Sequence, residues 1–285
     1  QGFTLIELLV VLAIVSTHVL AAYLARDPLT RPDGFVMEGP VAGGHSAPPR
    51  GTMVLDDTGD PVYGQRDRLD PVKAQSIGLP FWLAGGYATP QQVAAARATG
   101  AAGVQVGSVF ALCTDSGLDA PLREQLLSQA IDGSLTIRNH PKASPTSFPF
   151  KVAQLPDTIA DEGVYQDRPR LCDLGYLRTV FRKADGGLGY RCPSEPVDAY
   201  LRKGGTAADA EERRCLCNGL VASTGLAQHR PDGYVEAPLV TLGQDLDFLP
   251  ELVATTGKDF SATDVVAYLL GESGQRRQPT AVAGA

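Results

Sequence analysis

Residues 83–108 read "LAGGYATPQQVAAARATGAAGVQVGS", and this stretch decides the fold. It closes one apolar strand, "LPFWLAGG", on the paired glycines Gly85 and Gly86. Thr89 and Pro90 then supply an N-cap and a first helical residue for "QQVAAARAT". Gly100 ends that helix, and a second apolar strand, "AGVQVGSVF", follows with Gly107 near its end. Strand, helix, strand in this order implies parallel strands joined by a crossover. Glycines where strands meet helices let backbone N–H groups approach an anion, and the helix start adds positive potential.

The same grammar extends upstream. "LLVVLAIV" at 8–15 reads as a strand, and Ser16 or Thr17 caps a helix over "HVLAAYLARD". "PLTRPDG" is a turn, and "FVMEG" is a short strand running into the loop "PVAGGHSAPPRG". The polar stretch 52–70 reads as a long excursion or small hairpin, with a short helix over 71–78. Residues 8–110 thus alternate as a (β/α) barrel of TIM type does, with four strands apparent. The glycine-rich features all fall at the strands' carboxyl ends, where such folds place their chemistry.

Downstream, residues 119–140 read as helical, and "TSFPFKVAQLP" at 146–156 as a strand or edge segment. Residues 160–220 are irregular and hold four of the five cysteines. A final helix, "SATDVVAYLLGE", is capped by Ser261 and followed by a tail. The expected units are 1–8, 9–145 as the barrel half, 146–250 as a cysteine-containing region, and 251–285 as terminal helix and tail.

A net charge of −7 argues against a nucleic-acid partner, which selects clustered Lys and Arg. Five cysteines, odd in number and scattered, read as reduced thiols of a cytoplasmic protein. Cys172, Cys192, Cys215 and Cys217 offer a C-x-C pair but no C-x₂-C pair, so the expectation is free thiols without a metal. The chain shows no basic n-region of a signal peptide. Its apolar run reaches membrane length only by including Ser16, Thr17 and His18, which argues against a membrane span.

"VAGGHSAPPRG" at 41–51, with the stretch quoted first, resembles the nitronate monooxygenase family, formerly 2-nitropropane dioxygenases. The resemblance covers about residues 12–250 and matches the C-terminal half of the family's barrel. It implies FMN as cofactor and a nitronate or nitroalkane with O₂ as substrates. Carried over position by position, it implies His45 as the active-site histidine, with Gly43 against the flavin. It places Gly85, Gly86, Gln105, Val106, Gly107 and Ser108 at the phosphate. The family commonly has Gln where this chain has Glu38, and an ionised carboxylate donates no hydrogen bond.

Half a barrel leaves two open sheet edges. A fragment, self-association, or cover by the C-terminal region would each answer this. Residues 2–8, "GFTLIEL", resemble a type IV prepilin start. Two other readings stand beside the oxidase: a flavin-dependent reductase of an enoyl thioester or quinone, and a pilin-like structural protein with membrane association.

Overall fold

The computed structural model describes residues 10–272; the prepilin-like stretch 1–8 lies outside them. Four strands, β1 (Leu12–Val15), β2 (Gly34–Glu38), β3 (Phe81–Ala84) and β4 (Gly103–Gln105), form one sheet in that order. Every neighbouring pair is parallel. The protein is α/β, and the four expected strands are present as an open sheet. Strand and short helix occupy Leu12–Leu24, where a pilin requires a continuous helix.

The crossovers follow their sequence signals. Helix α1 (His18–Leu24) is capped by the Thr17 hydroxyl, which accepts from the Leu20 N–H. Helix α2 (Pro71–Gln75) is capped by Asp70. Helix α3 (Pro90–Ala98) begins in a capping box, with Thr89 accepting from Gln92 N–H and Gln92 accepting from Thr89 N–H. Helix α4 (Ser108–Ala111) starts directly after Gly107. Residues 52–70 include the small antiparallel bridge Leu55–Pro61.

Strand β2 is buried on both faces, as befits the centre of a covered sheet. Strand β1 has one neighbour, and Val10, Val11, Leu12 and Ile14 beside it are exposed. The edge problem expected of a half barrel is therefore real on the β1 side. Strand β4 also has one neighbour, and its residues are part-exposed to exposed.

Helix α5 (Ala120–Asp132) is shorter than the helix expected over 119–140. Gly133 adopts a left-handed conformation (φ 77°) as its C-cap. The chain then turns into β5 (Ile137–His140), which pairs antiparallel with β6 (Phe150–Ala153).

The region 160–220 is more regular than its sequence implies. It contains α6 (Glu162–Asp167), a hairpin of β7 (Thr179–Arg182) and β8 (Leu188–Arg191), and helices α7 (Val197–Arg202), α8 (Ala207–Ala210) and α9 (Leu216–Ala222). Helices α10 (Leu249–Thr256) and α11 (Ala262–Leu269) finish the described chain, and Ser261 caps the last as expected. No described helix is long and apolar enough to cross a membrane.

Phe248, Leu249, Leu252, Phe260 and Tyr268 from this end are buried against Val109, Leu112 and Leu126. Each fully buried large side chain contributes about 1.5–3 kcal/mol, so this cluster holds the C-terminal region firmly against α4 and α5.

Candidate functional site: a cavity at the carboxyl ends of the strands

Strand register sets the floor of the site. Glu38 pairs with Ala84, and Ala84 with Gln105, so the last residues of β2, β3 and β4 stand in one row. All three line a cavity of about 340 Å³. Gly43, Gly85, Gly86, Gln105, Val106, Gly107 and Ser108 line the same cavity. Seven positions taken from two separate motifs therefore converge on one space.

The glycines serve different ends. Gly85 and Gly86 have φ of 87° and 82°, a region that side chains with a Cβ seldom adopt. A Cβ on Gly85 would stand 3.0 Å from Ala42 N, so this turn packs backbone on backbone. A Cβ on Gly107 would meet nothing within 4 Å; that position opens into space.

Among the described residues, the backbone N–H groups of Gly86, Gly107 and Ser108 have no protein acceptor. Unpaired donors around a cavity, two of them at the start of α4, suit an oxyanion. Asp245 runs against this. Its carboxylate lines the cavity, and a Cβ built on Gly86 would lie 3.0 Å from its Oδ2.

The cavity's far wall comes from Thr241, Leu242, Gly243, Asp245 and Phe248, none of which the sequence reading singled out. This segment is stitched to the motif loop. Gly44 N–H donates to Thr241 Oγ1 (2.8 Å), Gly243 N–H to Ser108 Oγ (2.7 Å) and Gln244 N–H to Val41 O (3.0 Å). A Cβ on Gly43 would lie 2.9 Å from Gly243 N, which is why glycine is needed there.

His45 stands apart from the residues that line the cavity. Its neighbours Gly43 and Gly44 form part of the wall, while its own ring meets Phe150 edge-on at 4.8 Å and Ser144 Oγ at 2.6 Å from Nε2. Ser144 Oγ in turn accepts from Thr146 N–H and contacts Thr146 Oγ1 at 2.7 Å. Partial burial lowers the His45 pKa below its ordinary value, which favours the neutral imidazole. When Ser144 gives its proton to Thr146 it accepts from His45 Nε2–H, leaving the Nδ1 lone pair able to take a proton.

Beneath the loop lies Lys151, fully buried. Its ammonium donates to Pro40 O (2.6 Å) and Ser46 Oγ, tying both ends of the "PVAGGHS" turn to β6. Burial lowers its pKa to about 8, partly offset by Glu38 and Asp60. Burial likewise raises the Glu38 pKa, with Lys151 opposing. A protonated Glu38 can donate a hydrogen bond into the cavity, which an ionised one cannot.

A cavity at the carboxyl end of a parallel α/β sheet is where such folds place their ligands. Residues 4–141, just under half of the chain, match the nitronate monooxygenase family model, and over this stretch the chain is similar to that family. The match begins inside the stretch that resembles a prepilin.

Among curated relatives, a probable nitronate monooxygenase of Bacillus subtilis is 36% identical over 98 residues, 34% of this chain and 26% of that protein. A nitronate monooxygenase of Paraburkholderia phytofirmans is 35% identical over 98 residues, 34% of this chain and 25% of its own. A (3aS,4S,5R,7aS)-5-hydroxy-7a-methyl-1-oxo-octahydro-1H-indene-4-carboxyl-CoA dehydrogenase of Mycobacterium tuberculosis is 31% identical over 103 residues, 36% of this chain and 26% of that protein. The matched part thus spans about a quarter of each relative's length.

Two solved structures are similar over 92% of this chain. FabK from Thermotoga maritima has a TM-score of 0.47 at 17% identity, with 60% of that chain covered. Nitroalkane oxidase from Streptomyces ansochromogenes has 0.45 at 18%, with 57% covered.

Proposed function

We propose that the chain binds FMN at this cavity and serves the oxidation of a nitronate or nitroalkane by O₂, in the cytoplasm. The observation that carries the reading is the set of unpaired N–H groups at Gly86, Gly107 and Ser108 around one cavity. These donors and the open space at Gly107 fit a phosphate; the Asp245 carboxylate opposes it, as Glu38 does when ionised.

Gly85, Gln105 and Val106 shape the cradle, and Gly43 lines it while letting the Leu242–Gly243 backbone pack close. A bound flavin would supply the electron transfer and oxygen chemistry, while the protein binds and orients. His45 stands outside the cavity lining and is held by Ser144; to remove the α-proton of a neutral nitroalkane or steady the anionic nitro group, its ring must turn toward the ligand. Burial favours its unprotonated form, the one a general base requires.

A second reading, a flavin-dependent oxidoreductase acting on a thioester, is favoured by the likeness to a carboxyl-CoA dehydrogenase. Anaerobic mixing of the flavin-loaded chain with NAD(P)H, nitronate, or an enoyl thioester separates the two. Flavin bleaching by nitronate alone supports the oxidase; bleaching by the nicotinamide and reoxidation by the thioester supports the reductase. No bleaching by either refutes both.

A further inference from the structure

Four cysteines that lie far apart in sequence meet in the fold. Cys172 follows α6, Cys192 follows β8, and Cys215 and Cys217 stand at the start of α9. All four line one small cavity of about 10 Å³, space for a single atom or water. Glu195 shares that cavity, and its buried Oε1 has no hydrogen-bond partner. A buried carboxylate oxygen without a donor is costly; the other oxygen of this carboxylate accepts from Lys203 Nζ at 2.7 Å.

We infer that Cys172, Cys192, Cys215 and Cys217 form a structural zinc site. The C-x-C spacing had argued for free thiols, but it weighed only neighbours in sequence. The fold brings a third and a fourth sulfur from either end of the β7–β8 hairpin. Among the described residues no three His, Cys, Asp or Glu side chains already stand as a metal-ligand set, so the ion draws the sulfurs inward by side-chain rotation. Each Zn–S bond forms as a thiol proton leaves to solvent, and nothing is oxidised.

The surroundings suit this charge change. Arg168, Arg170 and Arg178 supply positive potential to the cysteines, balancing a site that becomes anionic once four thiolates surround one dication. Glu195, Asp173 and Glu236 are the acidic groups nearby, and each is paired, with Lys203, Arg230 and Arg168 respectively.

The site also answers a structural need. Most residues of the β7–β8 hairpin are exposed, including Val180, Leu188 and Tyr190, so the hairpin has little apolar core of its own. A metal at its base would tie it to α9, as small poorly packed units commonly require.

The test uses the full chain, expressed with zinc in the medium and desalted under reductant. Elemental analysis should find about one zinc per chain, and X-ray absorption should show sulfur ligands at about 2.3 Å. Alkylation with peptide mapping, before and after chelation, should show these four thiols protected by zinc and released together. Cys192→Ser and Cys217→Ser should lose the metal, and Cys113→Ser should keep it. Alkylation on the wild-type chain keeps the test sound where a serine variant fails to fold. Metal-free protein that takes up no Zn²⁺, zinc held by other ligands, or disulfides among the four under reductant would each overturn the site. None of these readouts depends on flavin binding.

Discussion

Gly107 separates the binding role of a glycine from its structural one. It precedes α4 with φ −119°, outside the left-handed region, and a Cβ there meets nothing within 4 Å. Gly107→Ala should therefore change stability by no more than about 0.5 kcal/mol. Gly107→Asp should fold equally well, since Asp is at least as good a helix cap as Gly. Its carboxylate would project into the cavity beside the donors of Gly86 and Ser108. A unit charge about 4 Å from a phosphate charge costs about 4 kcal/mol at an effective dielectric of about 20, or roughly a thousandfold in affinity. Flavin fluorescence titration of wild type and both variants reads this directly, with thermal unfolding as the control. FMN affinity should fall about a thousandfold in the Asp variant, and riboflavin affinity, lacking the phosphate, far less. Equal losses for FMN and riboflavin, or FMN affinity within about threefold of wild type, would refute the phosphate assignment.

Three further outcomes follow from the site's charges. Asp245→Asn removes the carboxylate beside Gly86 and should tighten FMN about tenfold or more by the same electrostatics; weaker binding in calorimetry would show that Asp245 organises the cradle. His45→Asn should slow neutral nitroalkanes by roughly 10²–10⁴-fold and nitronates less, in steady-state assays at matched flavin content; equal losses would mean orientation in place of proton removal. Lys151, with its folded pKa of about 8 below the unfolded value near 10.4, binds its proton more weakly folded than unfolded. Its burial penalty is complete below about pH 8 and is relieved as pH rises toward the unfolded value. Wild-type stability should accordingly rise across that window relative to Lys151→Met, by denaturant titration, and parallel profiles would contradict the assignment.

The local signals carried the strands, their order, and the seven cavity positions because each depends on neighbours in sequence. A β-branched run, a Thr-Pro helix start and a glycine pair all act within a few residues. The far wall did not announce itself. "TLGQDLDF" carries no helical or strand period, and Thr241 and Gly243 gain their roles only by hydrogen-bonding Gly44 and Ser108.

His45 was visible as a strand-end histidine, but its turn toward Ser144 depends on β6 packing beside it. The end of α5 was misread because apolar residues continue past Gly133, whose left-handed cap stops the helix. Cysteine spacing could not show that four of the thiols share one cavity, because Cys172 and Cys192 reach it from either side of a hairpin.

Whether this cavity holds a flavin phosphate is tested most directly by adding FMN to the purified chain. Titration at low salt, followed by flavin fluorescence and calorimetry, should show saturable binding near one flavin per chain. Binding should weaken as salt screens the phosphate, and inorganic phosphate should compete. No saturable binding by the folded chain, or binding that inorganic phosphate leaves unchanged while riboflavin binds equally well, would contradict the proposed site.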